Sequence, residues 1–126
     1  MGAGTGVTGL ALLKHTEVAK VIFTDYLRPI LNLIRENIAL QEDTGQTESR
    51  VELVDWAREE TWQLILDPET TPTIDRAFAT DVIYNSSCFD QLARLLRAIK
   101  DRHPNCIINV VIPQDRDKGA EFVGHM

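Results

Sequence analysis

The sequence predicts an α/β fold built on a mostly parallel sheet. Three observations carry this. The apolar period switches repeatedly between strand and helix, a glycine-rich loop runs directly into the first helical stretch, and an acidic residue closes the strand that follows. Strands alternating with helices indicate parallel pairing, because a parallel crossover needs a connection long enough to hold a helix. No internal repeat or low-complexity segment interrupts the alternation. The 126 residues are read as a single domain, 1–126, large enough to bury its own core.

Each element has its own signature. After the glycines, "GLALLK" reads as a helix. Lys20 to Asp25 reads as a short buried strand with Val21, Ile22 and Phe23 as its apolar body. Pro29 suits a first helical turn, where its missing N–H costs nothing, and Ile30, Leu33, Ile34 and Ile38 continue at helical spacing. "QEDTGQTESR" is polar, contains Gly45 and reads as a loop. "VELVDW" is a further strand ending at Asp55-Trp56, "AREETWQLIL" a short helix, and "DPETTP" a loop. "IDRAFATDVIY" has strand character in its second half. Ser86 or Ser87 is an N-cap for a helix whose buried face is Phe89, Leu92, Leu95, Leu96 and Ile99, broken by Pro104-Asn105. "CIINVVIP" is a buried strand, and the polar tail holds a weak helical start near Glu121.

Charged residues make up 25% of the chain, hydrophobic ones 44%, and the net charge is −6. This balance argues against a nucleic-acid backbone as the main partner and is compatible with a basic peptide or protein. No apolar run is long enough to cross a bilayer, and no signal-peptide pattern is present. Cys88 and Cys106 do not make a disulfide framework, and His15, His103 and His125 lack metal-ligand spacing, so no metal is expected. The expected location is the cytoplasm, with the nucleus as an addition.

The chemistry-bearing motif is the opening "MGAGTGVTGLALLK". Gly4, Gly6 and Gly9 satisfy G-x-G-x-x-G, with Gly2 in front. Glycines permit positive φ and close approach of backbone to a ligand, and the N–H groups of a following helix favour a negative group. Asp25 stands about twenty residues on, where an acid can bind ribose hydroxyls. Alone the motif also fits a tight turn followed by an ordinary strand-end acid. It admits two nucleoside cofactors, a dinucleotide or S-adenosylmethionine, and does not separate them.

"GAGTGVTGL", "VIFTDY", "LVDW" and "ATDVIYN" occur in that order at loop-spaced intervals. Together they resemble the non-SET, seven-strand protein-lysine methyltransferases, a family of class I S-adenosylmethionine-dependent enzymes. The resemblance covers nearly the whole chain, with "CIINVVIP" as the family's fifth strand, and the D-x-x-Y element is its most specific part. It implies S-adenosylmethionine as cofactor and a lysine of a protein partner as substrate. It places Gly2, Gly4 and Gly6 against the methionine part of the cofactor and Asp25 on the ribose. Asp55 would face the adenine amino group, with Trp56 stacked on the ring. Ala79 would lie near the cofactor, and Asp81 and Tyr84 would form the D-x-x-Y pair at the substrate channel.

Simpler roles stand beside these. Trp56 reads equally as a core aromatic at a strand end, Asp81 as a turn cap, Tyr84 as half-buried packing, and Asn85 and Ser86 as turn and cap residues. Cys88 reads as helix packing. Arg94, Arg97 and Lys100 read as a solvated helix face, and Asp115 to Lys118 as solvated loop. A non-catalytic remnant or interaction module of the same fold is one alternative. An NAD-dependent oxidoreductase fragment is another, although it leaves Asp55-Trp56 and "DVIY" without a task.

Set against the family pattern, the chain is expected to be a partial Rossmann-like class I methyltransferase sheet, lacking the first strand and the C-terminal strand pair. In the family the first strand lies between the second and the fourth, so those two are expected either to pair directly or to leave a marginal fold. Arg76 stands at a normally buried position of the family's fourth strand, and it must reach solvent or shift the strand.

Overall fold

The computed structural model describes residues 1–41, 47–113 and 118–125. The chain divides into two compact units, Met1–Val54 and Asp55–Met126.

In the first unit the elements are α1 (Val7–His15), β1 (Lys20–Asp25), α2 (Arg28–Ala39) and β2 (Glu48–Leu53). β1 takes the predicted bounds because its apolar body is framed by Lys20 and Asp25. It pairs in parallel with β2, from Lys20 opposite Glu48 to Asp25 opposite Leu53, with α2 in the crossover. Leu13, Val21, Phe23 and Ile34 form the core here, with Leu10, Val18, Ile30, Ile38 and Val51 packed around them. On α2 the buried residues are Leu31 and Ile34, while Leu33, expected inward, is exposed. Both turn inward because they lie three residues apart, one turn on a single helix face.

β2 begins at Glu48, inside the stretch read as a loop; residues 42–46 of that stretch lie outside the described residues. Polar residues sustain a strand here because the ladder gives them partners. Lys20 Nζ meets Glu48 Oε1 at 3.0 Å across the first register pair, and Arg50 meets Glu52 two residues along the same face at 2.7 Å.

The second unit opens with a 3-10 turn (Glu59–Thr61) and α3 (Gln63–Leu66), followed by β3 (Arg76–Thr80). A 3-10 turn (Ser86–Cys88) then leads into α4 (Phe89–Arg102), β4 (Ile107–Val111) and α5 (Gly119–Val123). β3 and β4 are parallel, Arg76 opposite Ile107 through Thr80 opposite Val111, with α4 in the crossover. α4 buries the predicted Phe89, Leu92, Leu95, Leu96 and Ile99, and Ala93 as well. Phe122 of α5 meets the Phe89 ring edge-on at 5.3 Å.

Four expectations are corrected in this unit. β3 is Arg76–Thr80, so the strand takes the middle of "IDRAFATDVIY" rather than its second half; a positive φ at Asp81 ends the extended chain. β4 is a strand but not a buried one, since Ile107 and Val111 are about half exposed at its two ends. The cap of the turn before α4 is Asn85, whose Oδ1 accepts from Ser87 N–H at 3.1 Å. Cys88 is only partly buried; it and Cys106 are free thiols, and burial pushes the Cys106 thiol up. Arg76 opens β3 and is exposed, which removes the cost of a buried charge. Of the run from Asp115 to Lys118, residues 115–117 lie outside the described residues.

The result is an α/β fold of short parallel strand pairs, consistent with a partial Rossmann-like sheet. Among the described residues the strands form two separate ladders, β1 with β2 and β3 with β4. Each strand stays with the neighbour to which its own helical crossover joins it, the local pairing that a βαβ connection favours.

Candidate functional site

The glycine loop precedes α1 and is held by the end of β1. Ala3 N–H donates to Thr24 O at 2.9 Å, and Gly4 N–H donates to Asp25 Oδ2 at 3.2 Å. From α2, Asn37 Nδ2 donates to Thr5 O at 2.9 Å. Gly2, Gly4 and Gly6 all have positive φ, of 59°, 54° and 88°. At Gly4 a Cβ would meet nothing within 4 Å, so the loop is open on that side. Gly9 serves a different purpose. A Cβ there would fall 2.2 Å from Cε1 of the buried Phe23 ring, so its absence lets α1 lie directly on β1.

Asp25 is only 7% exposed. Its second oxygen, Oδ1, accepts from Leu27 N–H at 3.1 Å. The carboxylate therefore braces both the glycine loop and the start of α2. Each oxygen retains acceptor capacity for a hydroxyl.

In the second unit, residues 55–62 fold back on themselves. Asp55 N–H donates to Thr61 Oγ1 at 3.0 Å, and Trp62 Nε1 donates to Asp55 O at 3.0 Å. Ala57 N–H donates to Asp55 Oδ1 at 3.0 Å, which fixes the carboxylate, while Oδ2 takes no hydrogen bond from a described residue. Trp56 is partly exposed. The core aromatic of this stretch is Trp62, 6% exposed, so the reading of Trp56 as core is corrected.

At the end of β3, Ala79 is enclosed and Asp81 is exposed. Asp81 adopts φ 53°, the one non-glycine positive φ among the described residues, and its N–H donates to Val111 O at 2.9 Å. Such a backbone costs a residue with a Cβ about 1 kcal/mol or more, and it tends to occur at functional positions. Val82 and Ile83 are buried and anchor the segment, leaving Tyr84 at its far end 56% exposed.

Gly4 and Asp25 are thus joined by a bond, Asp55 and Trp56 share one folded-back segment, and Asp81 and Tyr84 flank a buried pair. Asn37, Thr61 and Trp62 were missed in the sequence. Asn37 sits on a polar helix face with nothing to mark it. Trp62 and Ile65, three residues apart on one helical face, were the available signal for a buried tryptophan. Among the described residues no three His, Cys, Asp or Glu side chains are grouped to hold a metal, and no helix is long and apolar enough to cross a membrane.

In the first unit the space beside Gly4 is open and a carboxylate stands at the end of β1. In the second, the Asp55 carboxylate lies beside a partly exposed Trp56. Parallel βαβ units with such a glycine loop define a Rossmann-like α/β protein. A family model described as lysine methyltransferase matches residues 1–126, and the chain belongs to that family. A search of curated proteins returns no match.

Proposed function

We propose that this chain is an S-adenosylmethionine-dependent protein-lysine methyltransferase domain acting on a cytoplasmic protein. Asp81 carries the reading. It is held at a left-handed φ directly after a parallel strand, with the exposed Tyr84 three residues on. Gly2, Gly4 and Gly6 would receive the methionine end of the cofactor, Asp25 the ribose hydroxyls, and Asp55 and Trp56 the adenine, with Ala79 packed beneath. When bound, the cofactor supplies a methyl group activated on a sulfonium. The chain's task is then to hold a lysine amine, its proton lost to water, in line for attack. Asp81 orients the incoming ammonium by charge, and Tyr84 forms a wall of the lysine channel.

Isothermal titration with S-adenosylmethionine, followed by a methyl-transfer assay, tests this. Asp81→Ala is expected to lower transfer by about a hundredfold or more while sparing cofactor affinity. Equal loss of both counts against the assigned role. A second reading is a chain that keeps the fold without catalysis. Absence of heat at millimolar cofactor supports that reading, and competition by NAD supports an oxidoreductase fragment.

A further inference from the structure

We propose that Thr61 and Trp62 are positioning residues that fix the Asp55 main chain, and with it the Asp55 carboxylate and the Trp56 indole, for recognition of an adenine ring. The inference rests on the cofactor reading above and adds to it two residues outside every motif.

Asp55 and Trp56 lie in irregular backbone, so no ladder or helix holds them. A carboxylate that reads an exocyclic amine must be held to within about half an ångström, and irregular backbone reaches that only with dedicated partners. Thr61 and Trp62 supply them at both main-chain polar groups of Asp55. The Thr61 hydroxyl oxygen accepts from Asp55 N–H at 3.0 Å and directs its own proton to Arg58 O at 2.7 Å. The Trp62 indole N–H reaches back seven residues to Asp55 O at 3.0 Å, where Arg58 N–H also donates at 3.0 Å.

Burial makes this hold rigid. Enclosed as it is, Trp62 cannot swing its indole away, and an unmet indole N–H there would be costly. The turn that carries Thr61 is tied in turn to α4 by Arg94 Nη1 donating to Glu59 Oε1 at 2.8 Å. Core packing alone would require only the Trp62 ring. The placement of its N–H, together with the Thr61 hydroxyl, on the one residue whose carboxylate is offered to the base is what points to positioning.

The test compares binding of S-adenosylhomocysteine with S-inosylhomocysteine, which carries an exocyclic carbonyl oxygen in place of the exocyclic amine. Trp62→Phe keeps the ring and removes the N–H; Thr61→Val keeps the shape and removes the hydroxyl; Thr61→Ser restores the hydroxyl. The preference of the parent chain for the adenosyl ligand is expected to fall about tenfold in Trp62→Phe and in Thr61→Val, and to persist in Thr61→Ser. A purely structural role weakens both ligands alike and leaves the ratio unchanged; that result overturns the positioning role and leaves the cofactor reading standing. A parent chain that binds neither ligand overturns both. Because Trp62→Phe removes one of the two tryptophans, Trp56 fluorescence in that variant reports its own contact with the base.

Discussion

Residues 1–6 and residues 55–62 each hold irregular backbone in one shape, but with different groups. Besides one internal bond, Gly6 N–H to Ala3 O, the glycine loop is held from outside by the Thr24 carbonyl, the Asp25 carboxylate and the Asn37 amide, and in these bonds its own residues contribute main chain. The 55–62 segment is held from within, by side chains of residues it contains. A loop of the first kind can present bare N–H groups to a ligand. A loop of the second kind can present side chains, because other side chains have taken over the structural work.

The largest break in this contrast should come from Asp25. Asp25→Ala strips the acceptor from both Gly4 N–H and Leu27 N–H and is expected to cost about 3 kcal/mol in denaturant unfolding, together with cofactor affinity. Asp25→Asn keeps one acceptor and should cost about half as much. A loop that glycine geometry alone maintained would leave stability unchanged in both.

Gly9→Ala is expected to cost less. Contact of the new Cβ with the buried Phe23 ring forces a shift worth about 1–3 kcal/mol, partly offset by about 1 kcal/mol of gained helix propensity. A net loss of about 1 kcal/mol in the thermal unfolding of this variant would confirm the close approach of α1 to β1.

The smallest effect is a pH dependence in the second unit. His103, the C-cap of α4, is buried, and its Nε2 has no hydrogen-bond partner among the described residues. Burial, and then the Arg102 charge, hold its pKa below the ordinary histidine value of about 6.5. The folded state then binds fewer protons than the unfolded one. The His103 contribution to stability is complete above the ordinary value and is lost as pH falls through it toward the folded value. Melting temperature measured from pH 8 to pH 5 should decline on the acid side, and His103→Gln should flatten the decline.

How much could be read in the sequence depended on which force shaped each element. β1 and α4 were legible because burial writes a period into the residues. The start of β2 was not, because Glu48 is held across the ladder by Lys20, a register absent from local sequence. The candidate site divides similarly. Gly4, Asp25, Asp55 and Asp81 stand in recognisable patterns, and their spacing led to the family. The residues that hold them do not. Asn37 touches the loop from a polar helix face, and Trp62 was overshadowed by Trp56 six residues earlier. The left-handed φ at Asp81 left no trace at all, since aspartate is common in ordinary backbone too.

The cationic face of α4, expected to be merely solvated, ties down three separate stretches of chain. Arg94 meets the Glu59 carboxylate at 2.8 Å, Arg97 Nη2 donates to His125 O at 2.6 Å, and Lys100 Nζ donates to Cys106 O at 2.9 Å. Only the first joins two full and exposed charges. Dissolved salt screens such a pair strongly and a cation's bond to a carbonyl dipole far less. Ionic strength therefore separates the Arg94 tie from the Lys100 tie, loosening α4 from the 3-10 turn at Glu59 while the part-buried grip on the Cys106 carbonyl persists.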